Sequence, residues 1–237
     1  MDPQLLGEFM GTMILVLIGN SVVSNVVLKD SKGNNSGWIV ICTGFMLAVL
    51  MGVFTAIACG SKGAHINPAV TLAVAIRTGD FSNLIPFTIA QTLGAMVGQL
   101  LVYLNFLPHW GATSDAGGKL ACFCTGASIR SFAANVIAEA LGTFVLVFVI
   151  VAMNLGSVAP GLAPFLVGCV VWGIGLGMGG PTGFAINPAR DLGPRIMHAI
   201  LPIPGKGSSD WGYAAVPIIG PFIGAVVAAG VLKVCGV

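Results

Sequence analysis

The sequence predicts an all-α membrane protein with six transmembrane helices and two re-entrant half-helices arranged as an inverted repeat. Three observations carry that prediction. Of 237 residues, 56% are hydrophobic and only 8% charged, against about 25% charged in an ordinary soluble domain. Six apolar runs each approach the ~20 residues that cross a bilayer core. The triplet Asn-Pro-Ala occurs twice, at 67–69 and 187–189, each time beside long apolar stretches.

The runs lie at about 4–28, 37–59, 84–107, 132–153, 162–179 and 212–234. The first is expected to remain as a helix, because Met1-Asp2-Pro3-Gln4 lacks the positive n-region of a signal peptide and no small-residue cleavage site follows. Net charge is +2, too balanced to argue for nucleic acid or another polyanion. The short termini and the lack of targeting signals suit a bacterial plasma membrane, with the lipid bilayer as the medium.

The repeat shows in the first and fourth runs. "LLGEFMGTMILVLI" and "VIAEALGTFVLVFV" share Glu, Gly-Thr and an apolar tail in register, so Glu8 corresponds to Glu139. Asn67-Pro68-Ala69 and Asn187-Pro188-Ala189 follow, and then "AQTLGAMVGQ" parallels "VPIIGPFIGA", matching Gly94 and Gly98 to Gly220 and Gly224. Three spans per half is an odd number, so the second half enters the membrane from the opposite side. Inverted repeats of this kind are a recurrent plan of solute-conducting proteins, with the site at the midplane between the halves. The chain therefore reads as one membrane channel domain, 1–237, with repeats 1–112 and 125–237 and a linker loop at 113–124.

After each triplet comes a segment too short to span: "AVTLAVAIRTGD" at 69–80 and "ARDLGPRIMHAI" at 189–200. Asn is a strong N-cap, and Pro is favoured at the first helical position, where its missing N–H costs nothing. Both triplets thus spell helix starts inside the membrane. Irregular backbone at that depth must be buried in protein or line a watery cavity, so "CGSKGAH" and "GGPTGFA" should turn carbonyls toward a pore.

Two half-helices meeting N-terminus to N-terminus place two positive dipole ends at the pore centre. Cations are repelled there, and the Asn67 and Asn187 amides can donate to a passing oxygen and so break a proton wire. Arg190 follows the second triplet on the first turn of a half-helix, where an ionisable residue is functional by default. Its fixed fork of donors can hold hydroxyl or carbonyl oxygens. The alternative is that it pairs with Asp191 or caps loop carbonyls.

Glu8 and Glu139 lie within spans. Their symmetric placement favours acceptance of hydrogen bonds from the re-entrant loops, and the competing reading is a proton relay, as in a proton-coupled transporter. His65 is read as a loop brace or, alternatively, as a gate or pH sensor, and Gln91 as another brace. His109 and His198 have no third ligand at metal spacing, so no metal and no cofactor are expected. No nucleotide fingerprint, nucleophile elbow or zinc motif is present, so the chain is not read as an enzyme. The six cysteines form no Cys-x-x-Cys pair and read mostly as small buried hydrophobes. For Cys122 and Cys124, placed in a loop, an external disulfide or thiol is left open.

Taken together, "GEFMGT", "AEALGT", "KGAHINPAV" and "TGFAINPARDLGPR" resemble the major intrinsic proteins, the aquaporins and glycerol facilitators, over essentially the whole chain. The resemblance implies six tilted helices, two half-helices, one pore per subunit and a homotetramer with both termini cytoplasmic. That orientation leaves Lys62, Arg77 and Lys233 inside but Lys29, Lys32, Lys119, Arg130 and Lys206 outside, against the positive-inside tendency. Asp191, directly after Asn-Pro-Ala-Arg, resembles the marker of the glycerol-conducting branch, the aquaglyceroporins.

Carried onto this chain, the family's selectivity filter falls on Phe45, Gly175, Phe184 and Arg190. Water-selective relatives usually have histidine where Gly175 stands, so that corner is open here. Typical glycerol facilitators have tryptophan where Phe45 stands. The stretch to His65 is about two residues longer than usual, with "CGSK" as the insertion and Leu47 as the gap-free alternative to Phe45. Two phenyl walls facing an arginine suit a small solute with one apolar and one oxygen-rich edge. Glycerol fits, with water, as do protonated lactic acid, dihydroxyacetone and urea, which some members of the family pass.

Overall fold

The computed structural model describes residues 2–155, 158–159 and 161–236, so the ends of the 1–237 domain, residues 1 and 237, lie outside it. Among the described residues the regular structure is helical. The first half contains α1 (Pro3–Val27), α2 (Trp38–Ala58), the half-helix α3 (Pro68–Thr78) and α4 (Leu84–Asn105). Two short helices, α5 (Leu107–Ala112) and α6 (Ala116–Ala121), cross to the second half. That half contains α7 (Phe132–Leu155), α8 (Ala163–Met178), the half-helix α9 (Pro188–Ile200) and α10 (Val216–Val234).

The starts follow local chemistry. The Asp2 carboxylate accepts the Gln4 N–H at 2.9 Å with Pro3 in the first turn. In α3 and α9, Asn67 and Asn187 are the N-caps and Pro68 and Pro188 the first-turn prolines. Gly79 ends α3 with φ +75°, the left-handed conformation that glycine adopts without a Cβ penalty.

Two spans differ from expectation. The fifth, α8, has 16 residues, about 24 Å of helix, and it stops at the Gly179-Gly180-Pro181 sequence, which cannot continue it. Among the described residues, five helices are both long and apolar enough to cross a bilayer by themselves. The sixth span begins at Val216 instead of 212, because residues 210–215 are spent on turns, with Tyr213 N donating to Asp210 O at 3.0 Å.

The two halves pack alike. α1 lies against α2 and α4, α7 lies against α8 and α10, and α2 meets α8 between the halves. The half-helices are exchanged: α9 packs on α4 of the first half and α3 on α10 of the second. Bare glycine backbone permits the close approaches. A Cβ at Gly94 would fall 2.2 Å from Phe9 O, and one at Gly224 would fall 2.2 Å from Ala140 O. Since Glu8 corresponds to Glu139, Phe9 corresponds to Ala140, and the spatial counterpart of Gly94 is Gly224. Matching Gly94 to Gly220 places the last helix one turn away from its contacts.

The linker is an ordered plug. Asn20 Nδ2, fully buried in α1, donates to Gln99 Oε1 of α4 at 2.6 Å and to Phe123 O at 2.9 Å. Cys122 and Cys124 are buried and unpaired, so the loop carries neither an external disulfide nor an exposed thiol. Burial pushes the Cys122 thiol up to about 12 and raises that of Cys124 as well, which keeps both protonated and unreactive.

Candidate functional site

The two Asn-Pro-Ala triplets meet at the centre. Each cap oxygen is used on its own helix: Asn67 Oδ1 accepts from Ala69 N at 2.9 Å, and Asn187 Oδ1 accepts from Ala189 N at 3.1 Å and Arg190 N at 3.2 Å. Each amide reaches across to the other half. Asn67 Nδ2 donates to Ile186 O and Asn187 Nδ2 to Ile66 O, both at 2.8 Å. A side-chain amide has two N–H groups, so each asparagine retains one donor beside the cavity that both residues line.

The loops approaching the triplets carry matched strain. Ala64 and Ile66 have φ +43° and +44°, and Phe184 and Ile186 have +40° and +41°. Such conformations cost of order 1–3 kcal/mol each, and a β-branched isoleucine there is an outlier that the surroundings must enforce. The glutamates supply the enforcement. Glu8 Oε1 accepts from Ser61 Oγ at 2.6 Å and His65 N at 2.8 Å, and its Oε2 from Ile66 N and Gln91 Nε2, both at 2.7 Å. Glu139 accepts from Ala185 N at 3.0 Å and Ile186 N at 2.7 Å.

The first loop is therefore held by more partners. Gln91 also donates to Thr71 Oγ1 at 3.1 Å, and that hydroxyl lies 3.1 Å from His65 Nδ1. His65 lines the cavity and leans edge-on to Phe87, with ring centroids 5.5 Å apart. Ser61, in the "CGSK" stretch, is an additional brace that the sequence pattern did not single out. Position 221, where α10 passes Glu139 as α4 passes Glu8, is a proline and cannot act as Gln91 does.

A cavity of about 380 Å³ runs from Lys62 and Ile57 at one end, past His65 and both asparagines, to Phe45, Phe184 and Arg190. One wall is apolar, with Val49, Val53, Leu146 and Val171. The opposite wall is loop backbone. Among the described residues no protein donor reaches the carbonyls of Gly63, Ala64, His65, Phe184 or Ala185, so their hydrogen bonds must go to whatever fills the cavity.

The end of the cavity at Arg190 joins four elements. Phe45 of α2 and Phe184 of the second loop meet edge to face, centroids 5.6 Å apart at 77°. The Arg190 guanidinium carbon lies 4.7 Å from the Phe45 ring centroid, a cation–π distance. Gly175 of α8 backs Phe184: an added Cβ would be 3.0 Å from Phe184 Cζ. Leu47 is 39% exposed and points away from this cluster, so Phe45 alone of the two candidates lies beside the arginine.

Arg190 is 6% exposed, and its Nη1 has no partner among the described residues. The pairing of Arg190 with Asp191 does not form. Asp191 pairs instead with Arg195, four residues on, at 2.8 Å with both side chains buried. Arg195 also donates to the carbonyls of Ser209, Asp210 and Thr125, and Asp191 accepts from Thr125 N at 2.7 Å and Thr125 Oγ1 at 2.6 Å. Arg195 went unrecognised in the sequence, although an acid and a base four apart on a half-helix share one face. The pair ties the linker at Thr125 and the loop after α9 to that half-helix and leaves Arg190 free.

Residues 2–232 match the family described as major intrinsic protein. The chain is 55% identical to a probable glycerol uptake facilitator protein of Thermotoga maritima, over 94% of this chain and 95% of that one. It is 52% identical to a glycerol uptake facilitator protein of Streptococcus pneumoniae, over 96% of this chain and 97% of the relative. Its fold is similar to the X-ray structure of the aquaglyceroporin from Plasmodium falciparum, with TM-score 0.84 and 28% identity over 96% and 93% of the two chains. Paired half-helices, exchanged packing and these matches agree: the chain belongs to the major intrinsic protein family.

Proposed function

We propose that the protein is a passive channel for glycerol and other small neutral solutes, with water, acting as a homotetramer in a bacterial plasma membrane. The observation that carries this reading is the end of the cavity where Phe45 and Phe184 form apolar walls inclined at 77° and Arg190, with no hydrogen bond or ion pair from its guanidinium among the described residues, lines the space beside them. A polyol lays its carbon edge on the rings and its hydroxyls on the guanidinium. Its hydroxyls then pass the ladder of unpartnered carbonyls from one half, the free N–H groups of Asn67 and Asn187, and the carbonyls of the other.

Cations are excluded by Arg190 and by the two half-helix N-termini, and the asparagine donors orient a central oxygen as acceptor and interrupt proton transfer. The four hydrogen bonds on Glu8 support bracing over proton coupling, since both of its oxygens are occupied by loop and helix donors. Phe45 favours one variant of this reading. A phenyl ring has no indole N–H to spend on a hydroxyl, so the filter also suits solutes with fewer hydroxyl groups, such as protonated lactic acid, dihydroxyacetone or urea.

Stopped-flow light scattering of proteoliposomes tests the proposal, comparing glycerol, urea, sorbitol and lactic acid at low pH, with and without a proton gradient. Fast, non-saturating glycerol entry indifferent to the gradient is expected, with sorbitol excluded. Uptake that saturates and follows the gradient overturns the channel, and absent glycerol flux overturns the solute.

A further inference from the structure

Trp38, the first residue of α2, takes part in neither the cavity lining nor the filter pattern of the sequence, yet it touches the filter from outside. It precedes Phe45 by seven residues, two helical turns or about 10.5 Å along the same face. The Phe184 ring stands against both. Its centroid lies 5.6 Å from that of Trp38 at 86°, and 5.6 Å from that of Phe45 at 77°.

The indole is itself fixed. Trp38 Nε1 donates to Gly175 O at 3.0 Å, one of the last four carbonyls of α8, which have no partner inside a helix. Because α8 ends after 16 residues, that carbonyl faces the start of α2. Gly179 makes room: a Cβ there would fall 2.5 Å from Phe184 Cδ1 and 2.8 Å from Trp38 Cζ2. A tryptophan that only anchored the chain at the membrane interface would turn its N–H toward lipid headgroups and water. This one turns its N–H onto the Gly175 carbonyl and meets Phe184 in a T-shaped contact.

We propose that Trp38 is a positioning residue for the constriction: clamped to α8, its indole holds the Phe184 ring and so sets the largest polyol that passes. The inference rests on the reading of Phe45, Phe184 and Arg190 as the filter of a solute channel. Phe184 sits at φ +40° on a loop tethered by Glu139 one and two residues later, so its backbone is fixed and the ring's remaining freedom is rotation about its own side chain. Phe45 limits that rotation on the inner side and Trp38 on the outer side. The indole stands outside the cavity lining, and its donor is occupied by Gly175.

The experiment measures permeability of proteoliposomes to glycerol and to xylitol, a linear five-carbon polyol, for wild type, Trp38→Leu and Trp38→Phe at matched channel content. Loss of one aromatic edge contact, converted to rate, corresponds to a rise in the xylitol-to-glycerol ratio of about fivefold for Trp38→Leu. Trp38→Phe keeps a ring but frees the Gly175 carbonyl, and a smaller rise is expected. A purely structural role lowers both fluxes and leaves their ratio unmoved, and that result in both variants overturns the proposal. If Trp38→Leu does not reconstitute, the ratio in Trp38→Phe decides alone. Wild-type vesicles that pass no glycerol overturn the channel reading and this proposal with it, whereas wild-type flux with unmoved ratios overturns this proposal only.

Discussion

Asn67 and Asn187 hold each other's loops: the Asn67 amide donates to the carbonyl of Ile186, one residue before Asn187, and the Asn187 amide donates to the carbonyl of Ile66, one residue before Asn67, both at 2.8 Å. The two half-helices are thus fastened end to end by reciprocal hydrogen bonds across the halves. Each asparagine also caps its own helix, so one residue type does two things at once: it starts the helix and holds the strained isoleucine opposite, with a second amide N–H left over beside the cavity.

This reciprocity predicts energetic coupling. Asn67→Ala or Asn187→Ala alone removes a cap and leaves an isoleucine carbonyl without its donor, a loss of about 1–2 kcal/mol for the cap and about 1 kcal/mol for the crossing bond. The double variant is expected to lose less than the sum by at least about 0.5 kcal/mol, because either single change already loosens the shared clamp. Unfolding of the four proteins in detergent measures it, and strict additivity would show that the two loops are held independently.

Arg190→Val removes a group whose Nη1 binds no protein atom among the described residues, so it orphans few partners and assembly should persist. Selection should not. Proteoliposomes containing a pH-sensitive dye are expected to show proton or cation leak through the variant well above wild type, with glycerol flux retained. A leak unchanged from wild type would place the charge barrier elsewhere, at the two helix starts.

Phe45→Trp should raise glycerol entry relative to bulkier solutes, because the larger ring narrows the end of the cavity and adds an N–H for a hydroxyl. Leu47→Trp should leave the ratio as it was, since that side chain is 39% exposed and directed away from the arginine. Permeability ratios for glycerol over xylitol in the two variants separate the positions. A shift with Leu47→Trp alone would reassign the filter corner.

What was legible in the sequence is what is local or repeated. The helix starts at Asn67 and Asn187 follow from capping and proline chemistry, and the inversion follows from an odd number of spans. Glu8 and Glu139 were readable as loop braces because two carboxylates recur at one place in both halves. What was not legible depends on distance in space. Arg195 looks in the sequence like another charge on a polar half-helix, and only the folded chain shows Thr125, Ser209 and Asp210 converging on it. Trp38 sits two turns from the position that the filter pattern names. The match of Gly94 to Gly224 is set by which backbone each glycine meets, Phe9 or Ala140, and sequence alignment of two apolar helices cannot see that.

The Asp191–Arg195 pair gives the strongest stability prediction. Both side chains are buried, at 1% and 0% exposure, where desolvation offsets much of the attraction but removal of one partner strands the other. Arg195→Met leaves the Asp191 carboxylate with Thr125 as its remaining partner and releases three loop carbonyls, so a loss of about 3–5 kcal/mol is expected. Asp191→Asn is milder, because the arginine keeps its carbonyl acceptors and the new amide oxygen can still take one of its N–H groups. The expected order of unfolding midpoints in detergent is wild type, then Asp191→Asn, then Arg195→Met, with the last assembling poorly in membranes. A stable Arg195→Met would mean that the linker at Thr125 and the loop after α9 are held by apolar contacts of buried residues such as Phe123 and Tyr213, and that the ion pair serves chiefly to keep Asp191 away from Arg190.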